Sequence, residues 1–354
     1  MKIRILGGLL VMSVMLQAND MVYDSALIKK AKEAGFTAMP SGKKLKDIQI
    51  QKAKESKLAE AYPNKMTKEQ IELGKKLYFD PRISSSNLIS CNTCHNVGLA
   101  GADVVPAAIG HKWTPNPSHL NSPTVYNSVF NSAQFWDGRS AHLGDQAQGP
   151  IQAAPEMNAQ PKVVVAKITS IPAYVEEFKK AYGKDVNIDF KLIADTIAMF
   201  EHTLVTPARI DKFLDGSSKA LSREEQEGLN IFINKGCAAC HNGVNLGGSM
   251  QAFEVAKSYK YKKVGGFAGN KQGLVKTPTL RNIMETMPYF HNGQFWDIKD
   301  AIKEMGGIQL GVKISDDEAK KIESFFNALT GDKPQIIYPM LPAVTNKTPK
   351  PTFR

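Results

Sequence analysis

Four cysteines and the histidines that follow them carry the plainest chemistry in this 354-residue chain. All four fall in two copies of one pentapeptide, Cys91-Asn92-Thr93-Cys94-His95 and Cys237-Ala238-Ala239-Cys240-His241. C-x-x-C-H is the attachment pattern of c-type haem. Its two thiols add to the two vinyl groups on one porphyrin edge, and the imidazole turns under the iron as an axial ligand. Two copies that consume every cysteine point to two covalently bound haems c. Two rivals stay open at this level. A four-thiolate zinc site would need both pairs to meet in space and leaves the histidines unexplained. A redox dithiol normally sits in a strand–helix context, which is not visible here.

What a haem iron can do depends on its sixth position. A strong ligand there makes an electron-transfer centre, and a removable one permits chemistry. Met305, in Ala301-Ile302-Lys303-Glu304-Met305-Gly306-Gly307, is the candidate on the second iron. Its thioether would favour the ferrous state, although most methionines are core filler. Aligning the two halves sets Pro150 opposite Met305, and proline cannot ligate iron. The first iron must therefore differ. His111 lies sixteen residues after His95; its spacing alone fits a packed or surface histidine as readily as a ligand.

The elements that must position these groups read as helices. Thr67-x-x-Gln70, Ser222-x-x-Glu225 and Ser315-x-x-Glu318 are capping boxes that open apolar-periodic stretches. Asp189 to Leu204 is a further amphipathic run, and strand alternation is scarce. A repeat is also legible. In each half a capped helix is followed by C-x-x-C-H, then a Pro-Thr segment (Pro123 to Asn127; Pro278 to Asn282). An aromatic turn comes next (Phe135-Trp136-Asp137-Gly138; Phe290-His291-Asn292-Gly293), its phenylalanine twelve positions after the proline in both halves. The expected fold is mainly α, with two cytochrome c-like haem domains and long loops. The expected divisions are residues 19–186, 187–330, and a Pro-rich tail at 331–354, extended on the surface or disordered.

Hydrophobic residues make up 42% of the chain, which supports a globular protein rather than a disordered one. Residues 1–18 read as an export signal: Lys2 and Arg4, then an apolar run from Ile5 to Leu16, then Ala18 as a cleavage position. The run is short for a membrane span. The mature protein is expected in the periplasm, with no membrane span. The net charge is +11, but the basic residues are scattered rather than interleaved with aromatics. They suit a solvated surface that could dock an acidic partner, and not a nucleic-acid site.

Together these segments resemble the bacterial di-haem cytochrome c peroxidases, from about Lys65 to Leu329. The likeness rests on both haem motifs and on Gly110-His111-x-Trp113, Asn121-Ser122-Pro123-Thr124, Gln134 to Arg139, Gln146-Ala147-x-Gly149-Pro150, Glu156-Met157-Asn158, Pro278 to Asn282, Pro288 to His291 and Met305. The resemblance implies reduction of hydrogen peroxide with electrons from a small donor protein, a cytochrome c or a copper protein. It makes His95 and His241 the proximal ligands and Met305 the distal ligand of a high-potential haem. His111 becomes the removable ligand of a peroxide-reactive haem. Glu156 and Gln146 would line the peroxide pocket, with Glu156 moving a proton between the peroxide oxygens, and Trp136 would lie between the haems. It further implies a homodimer, and a calcium ion held by the Asn121 side chain and the backbone carbonyls of Thr286 and Pro288. Two extra residues around Pro115 to His119 depart from the pattern, in a loop expected to move during activation. The rival functions are a two-haem electron carrier and a protein-modifying enzyme of the tyrosine-ligated kind, which Met305 argues against. A purely structural calcium-binding protein does not explain two haem motifs.

Overall fold

The computed structural model describes residues 25–56 and 66–353; the expected export signal lies outside them. Helices dominate, and the only sheet among the described residues pairs β1 (Met250–Ala252) antiparallel with β2 (Leu274–Lys276). All three capping boxes form. Thr67 accepts from the Gln70 backbone and opens α1 (Lys68–Phe79), Ser222 opens α4 (Arg223–Asn234), and Ser315 opens α6 (Asp316–Asn327). Each satisfies two amide donors that would otherwise lack partners at a helix start. Leu73 and Leu77 of α1, and Leu229 and Phe232 of α4, then enter two separate apolar cores.

The two halves are built alike. In the first, α1 crosses α3 (Phe190–Glu201) at Gly74, where a Cβ would collide with the Thr196 carbonyl oxygen. In the second, α4 crosses α6 at Gly228, where a Cβ would collide with the Lys321 carbonyl oxygen. The backbone repeats too. Asn127 and Asn282 are both left-handed at φ 63°, and Phe135 and Phe290 adopt φ 67° and 69°. Asparagine tolerates that region because its short polar side chain bonds locally. Here both asparagine amides donate to the same hydroxyl, that of buried Thr206 (2.8 and 3.0 Å). Thr206 therefore pins the crossing point between the halves.

That crossing point differs from the expected division at 186/187. Leu192, Ile193, Ile197 and Phe200 of α3 belong to the first core, whose last buried member is Leu204, while the chain from Ala208 to Leu329 packs into the second. The Gly183 turn that suggested a boundary only separates two helices of one domain. Leu27, Ala31 and Phe36, near the start of the described chain, pack into the second core. The tail is extended and returns over the first domain. Tyr338 lies 4.5 Å from Phe79, Arg82 donates to the Pro342 carbonyl (2.6 Å), and the Thr352 amide donates to Ser85 (2.9 Å).

One buried ion pair underwrites the second half. Arg281 is fully buried, forks onto both oxygens of Asp211 (2.6 and 2.9 Å) and donates through Nε to the Val244 carbonyl (2.6 Å). Asp211 also accepts from the amides of Met39 and Ala208. Removing one partner leaves a buried charge alone, which costs about 3–5 kcal/mol. Arg281→Met is accordingly expected to lower the denaturant midpoint far more than Lys43→Met, whose ion pair with Asp47 is exposed.

Candidate functional site

The first pentapeptide forms one short helical turn, Cys91–Cys94, and the His95 amide donates back to the Cys91 carbonyl (2.9 Å). His95 Nδ1 lies 2.9 Å from the Pro123 carbonyl. That bond fixes the ring and the tautomer and leaves Nε2 as the coordinating nitrogen. Tyr78, at the end of α1, donates its hydroxyl to the His95 carbonyl (2.5 Å). The second pentapeptide repeats the logic. His241 Nδ1 lies 3.0 Å from the Leu246 carbonyl, and the Phe232 ring meets the imidazole edge-on at 6.2 Å. Burial keeps both imidazoles neutral, the state a metal ligand needs. It holds His95 below the usual histidine range against Asp103, and pushes His241 down to about 4.

These surroundings argue against the two rival metal and redox readings. The cysteine pairs sit against different cores, so four thiolates cannot share one zinc ion. Burial also pushes the thiols up, Cys94 to about 12 and Cys237 to about 11. Redox dithiols work through lowered thiol pKa values. No cysteine among the described residues is in a disulfide.

A cleft of about 1630 Å³, counting its open mouth, adjoins Cys237 and Cys240. Its lining is mostly apolar with a few polar groups, as the site of a prosthetic group needs. His241 and Met305 both line it, Met305 from α5 (Ile298–Leu310), with Leu280, Ile302 and Phe326 as apolar wall. The imidazole and the thioether expected on one iron therefore face one space.

The first half offers no such methionine. Pro150, at the corresponding place, lies inside α2 (Leu143–Gln152). The structure instead gathers the loop of His111 onto Glu156. His111 is buried, with Nδ1 3.3 Å from the Ser85 hydroxyl. Gly110 backs onto Pro155 and Glu156 so closely that a Cβ would collide with both. The neighbouring Ile109 carbonyl lies 3.7 Å from Cys94 Sγ. Glu156 accepts from the Asn116 amide (3.3 Å), and Asn116 belongs to the segment with the two extra residues. Burial raises the Glu156 carboxyl above its usual range, with Arg139 opposing. Gln146 sits half-buried on α2, and no described hydrogen bond joins its side chain to Glu156.

The seam between the halves is polar and tightly built. Trp136 is buried, lines the large cleft, and donates Nε1 to the Asn121 carbonyl (2.9 Å). Its ring meets that of His291, its counterpart in the repeat, edge-on at 6.4 Å. Asn121 spends its amide nitrogen on the Val105 carbonyl (2.8 Å), which leaves Oδ1 as an oxygen donor. Thr286 and Pro288 line the same cleft. Oxygens of this kind are the hard donors that calcium takes.

Two buried groups escaped the sequence reading. Glu201, at the end of α3, is buried beside Cys91 and Tyr78, and burial pushes its carboxyl up to about 8. An acid closing the run Ala198-Met199-Phe200 was the available signal. Lys276 lies at the seam. It stands two residues before Pro278, as Asn121 stands two before Pro123, so the repeat could have found it.

Comparison with known proteins agrees with this geometry. A model of the family described as di-haem cytochrome c peroxidase matches residues 68–219, and a cytochrome c model matches residues 225–329. The chain is 46% identical over 300 residues to the cytochrome c551 peroxidase of Pseudomonas aeruginosa, covering 81% of this chain and 86% of that protein. It is 45% identical over 291 residues to the cytochrome c551 peroxidase of Nitrosomonas europaea, covering 80% and 86%. Among solved structures, a MauG-like protein associated with microbial copper homeostasis shares the fold at TM-score 0.66 and 22% identity, over 75% of this chain and 90% of that one.

Proposed function

Since the chain belongs to the di-haem cytochrome c peroxidase family, carries two haems c and is a peroxidase, we propose that it reduces hydrogen peroxide to water in the periplasm. Its electrons come singly from a small cytochrome c or copper protein. The observation that carries this reading is the unequal surroundings of the two haem motifs. One motif shares a cleft with a thioether, and the other has a half-buried acid and a buried histidine beside it.

When bound, the haem of Cys91 and Cys94 would supply the redox-active iron that peroxide reduction needs. His95, its ring fixed by the Pro123 carbonyl, would hold that haem. His111 would be the removable ligand of that haem, giving way to peroxide. Glu156 then takes a proton from one peroxide oxygen and returns it to the other, so that water departs. This is general acid–base work, and it needs a carboxylate within hydrogen-bond reach of both oxygens. Gln146 orients the peroxide, and Trp136 stands on the electron path between the haems. Met305 keeps the second haem at high potential, since a Met/His pair raises it. Asn121, Thr286 and Pro288 hold calcium at the seam.

Stopped-flow mixing with peroxide, comparing fully oxidised and half-reduced protein, tests this. Two electrons are needed per peroxide, so the half-reduced protein is expected to consume one peroxide in a single turnover, the ferrous second haem supplying one electron and the first haem the other. Both irons staying six-coordinate and inert to peroxide in each state would leave an electron carrier instead.

A further inference from the structure

Buried ammonium groups need oxygen partners, because an unpaired charge in an apolar place is costly. Lys167 obeys this rule. It is fully buried, and its ammonium reaches the Ser84 and Ser85 carbonyls and Asn87 Oδ1 (2.7, 3.5 and 2.6 Å). Lys276 is only 5% exposed and has no such partner: among the described residues no hydrogen bond or ion pair ties its ammonium. Asp137 acts on it only at a distance, and Asp137 is bonded to Arg139 (2.8 Å).

The place of Lys276 says which partner is due. It ends β2, and its own amide donates to the Trp136 carbonyl (2.8 Å). It lines the cleft that holds His241 and Met305. It also acts electrostatically on His95, the proximal histidine of the other haem. The same cleft contains a second unsatisfied group, Nε2 of His291, which is 4% exposed. An ammonium and an imidazole nitrogen, both without partners, thus line one mostly apolar cleft at the seam. A c-type haem, bound there through Cys237 and Cys240, brings two carboxylates on the edge away from its thioethers.

We propose that Lys276 is the counter-ion of a propionate of the second haem, and that its charge raises the potential of that haem at the seam between the two. This rests on the second cleft carrying a haem c, and not on peroxide turnover. The sign follows from charge: ferric haem carries one more positive charge than ferrous, so a buried cation nearby disfavours the oxidised state. Burial holds Lys276 down to about 8, with Asp137 opposing, so the group is still largely charged at neutral pH.

The test is spectroelectrochemical titration of the holoprotein without peroxide, in the parent, Lys276→Met and Lys276→Arg. Lys276→Met is expected to reduce the ferrous-to-ferric ratio of the second haem about tenfold at fixed potential, a fall of about 59 mV for one electron. The first haem should shift in the same direction by less, and Lys276→Arg should stay close to the parent. A Lys276→Met titration that overlays the parent overturns the proposal. If Lys276→Met and Lys276→Gln both fail to load two haems while Lys276→Arg loads them, charge is what the site requires and the proposal stands. If Lys276→Arg fails with them, side-chain shape is what the site requires and the proposal falls. A parent that reduces no peroxide would overturn the proposed reaction and leave Lys276 as counter-ion standing, whereas unchanged potentials overturn Lys276 as counter-ion whatever the activity. Shifted potentials in an inactive protein would support Lys276 alone.

Discussion

Glu156→Gln is expected to lower peroxide turnover by roughly 10²–10⁴-fold, the usual range for a lost general acid–base group, with both haem spectra unchanged. The amide keeps the size of the carboxylate and can still hydrogen-bond to Asn116, so the loop that carries His111 should keep its seat on Pro155 and Glu156. What the variant lacks is a site that takes up one proton and gives it back. The parent should show the matching pH dependence. Glu156 must start ionised, so turnover should fall as pH drops through its carboxyl pKa. Burial raises that pKa above the ordinary carboxylate range, with Arg139 partly offsetting, so the acid limb should lie higher than an exposed glutamate would give. The limb should vanish in Glu156→Gln. Unchanged turnover in the variant would remove Glu156 from the mechanism.

Met305→His should lower the potential of the second haem by on the order of 100 mV or more, within the ~0.8 V that axial ligands span. Imidazole in place of a thioether favours ferric iron. Steady-state turnover with a protein donor should collapse, because the entry haem no longer accepts electrons readily. Chemically reduced protein should still reduce peroxide in a single turnover, since the first site is intact. Loss of both activities would place Met305 at the reactive iron instead. The readouts are potentiometric titration and rapid mixing.

Much of this architecture is legible in the sequence because it depends on local chemistry. The capping boxes at Thr67, Ser222 and Ser315 form as their spacing dictates. The repeat extends to matched left-handed asparagines, Asn127 and Asn282. The domain division is legible only in part, because it depends on packing across distance. Gly183 looks like a border, but α3 is held in the first half by the close crossing at Gly74. The haem attachment residues are plain from spacing alone. Met305 and His111 were visible only through the repeat and the family likeness, since a lone methionine or histidine signals little. Lys276 and Glu201 were hidden for a related reason: charged residues are usually solvated, and burial is not written in composition.

The central claim is that the two irons differ in their sixth position, and cyanide titration of the half-reduced protein tests it most directly. One equivalent per chain should bind, at the ferric haem of Cys91 and Cys94, while the ferrous haem held by Met305 keeps its spectrum. Binding of none, or of two, would contradict the account.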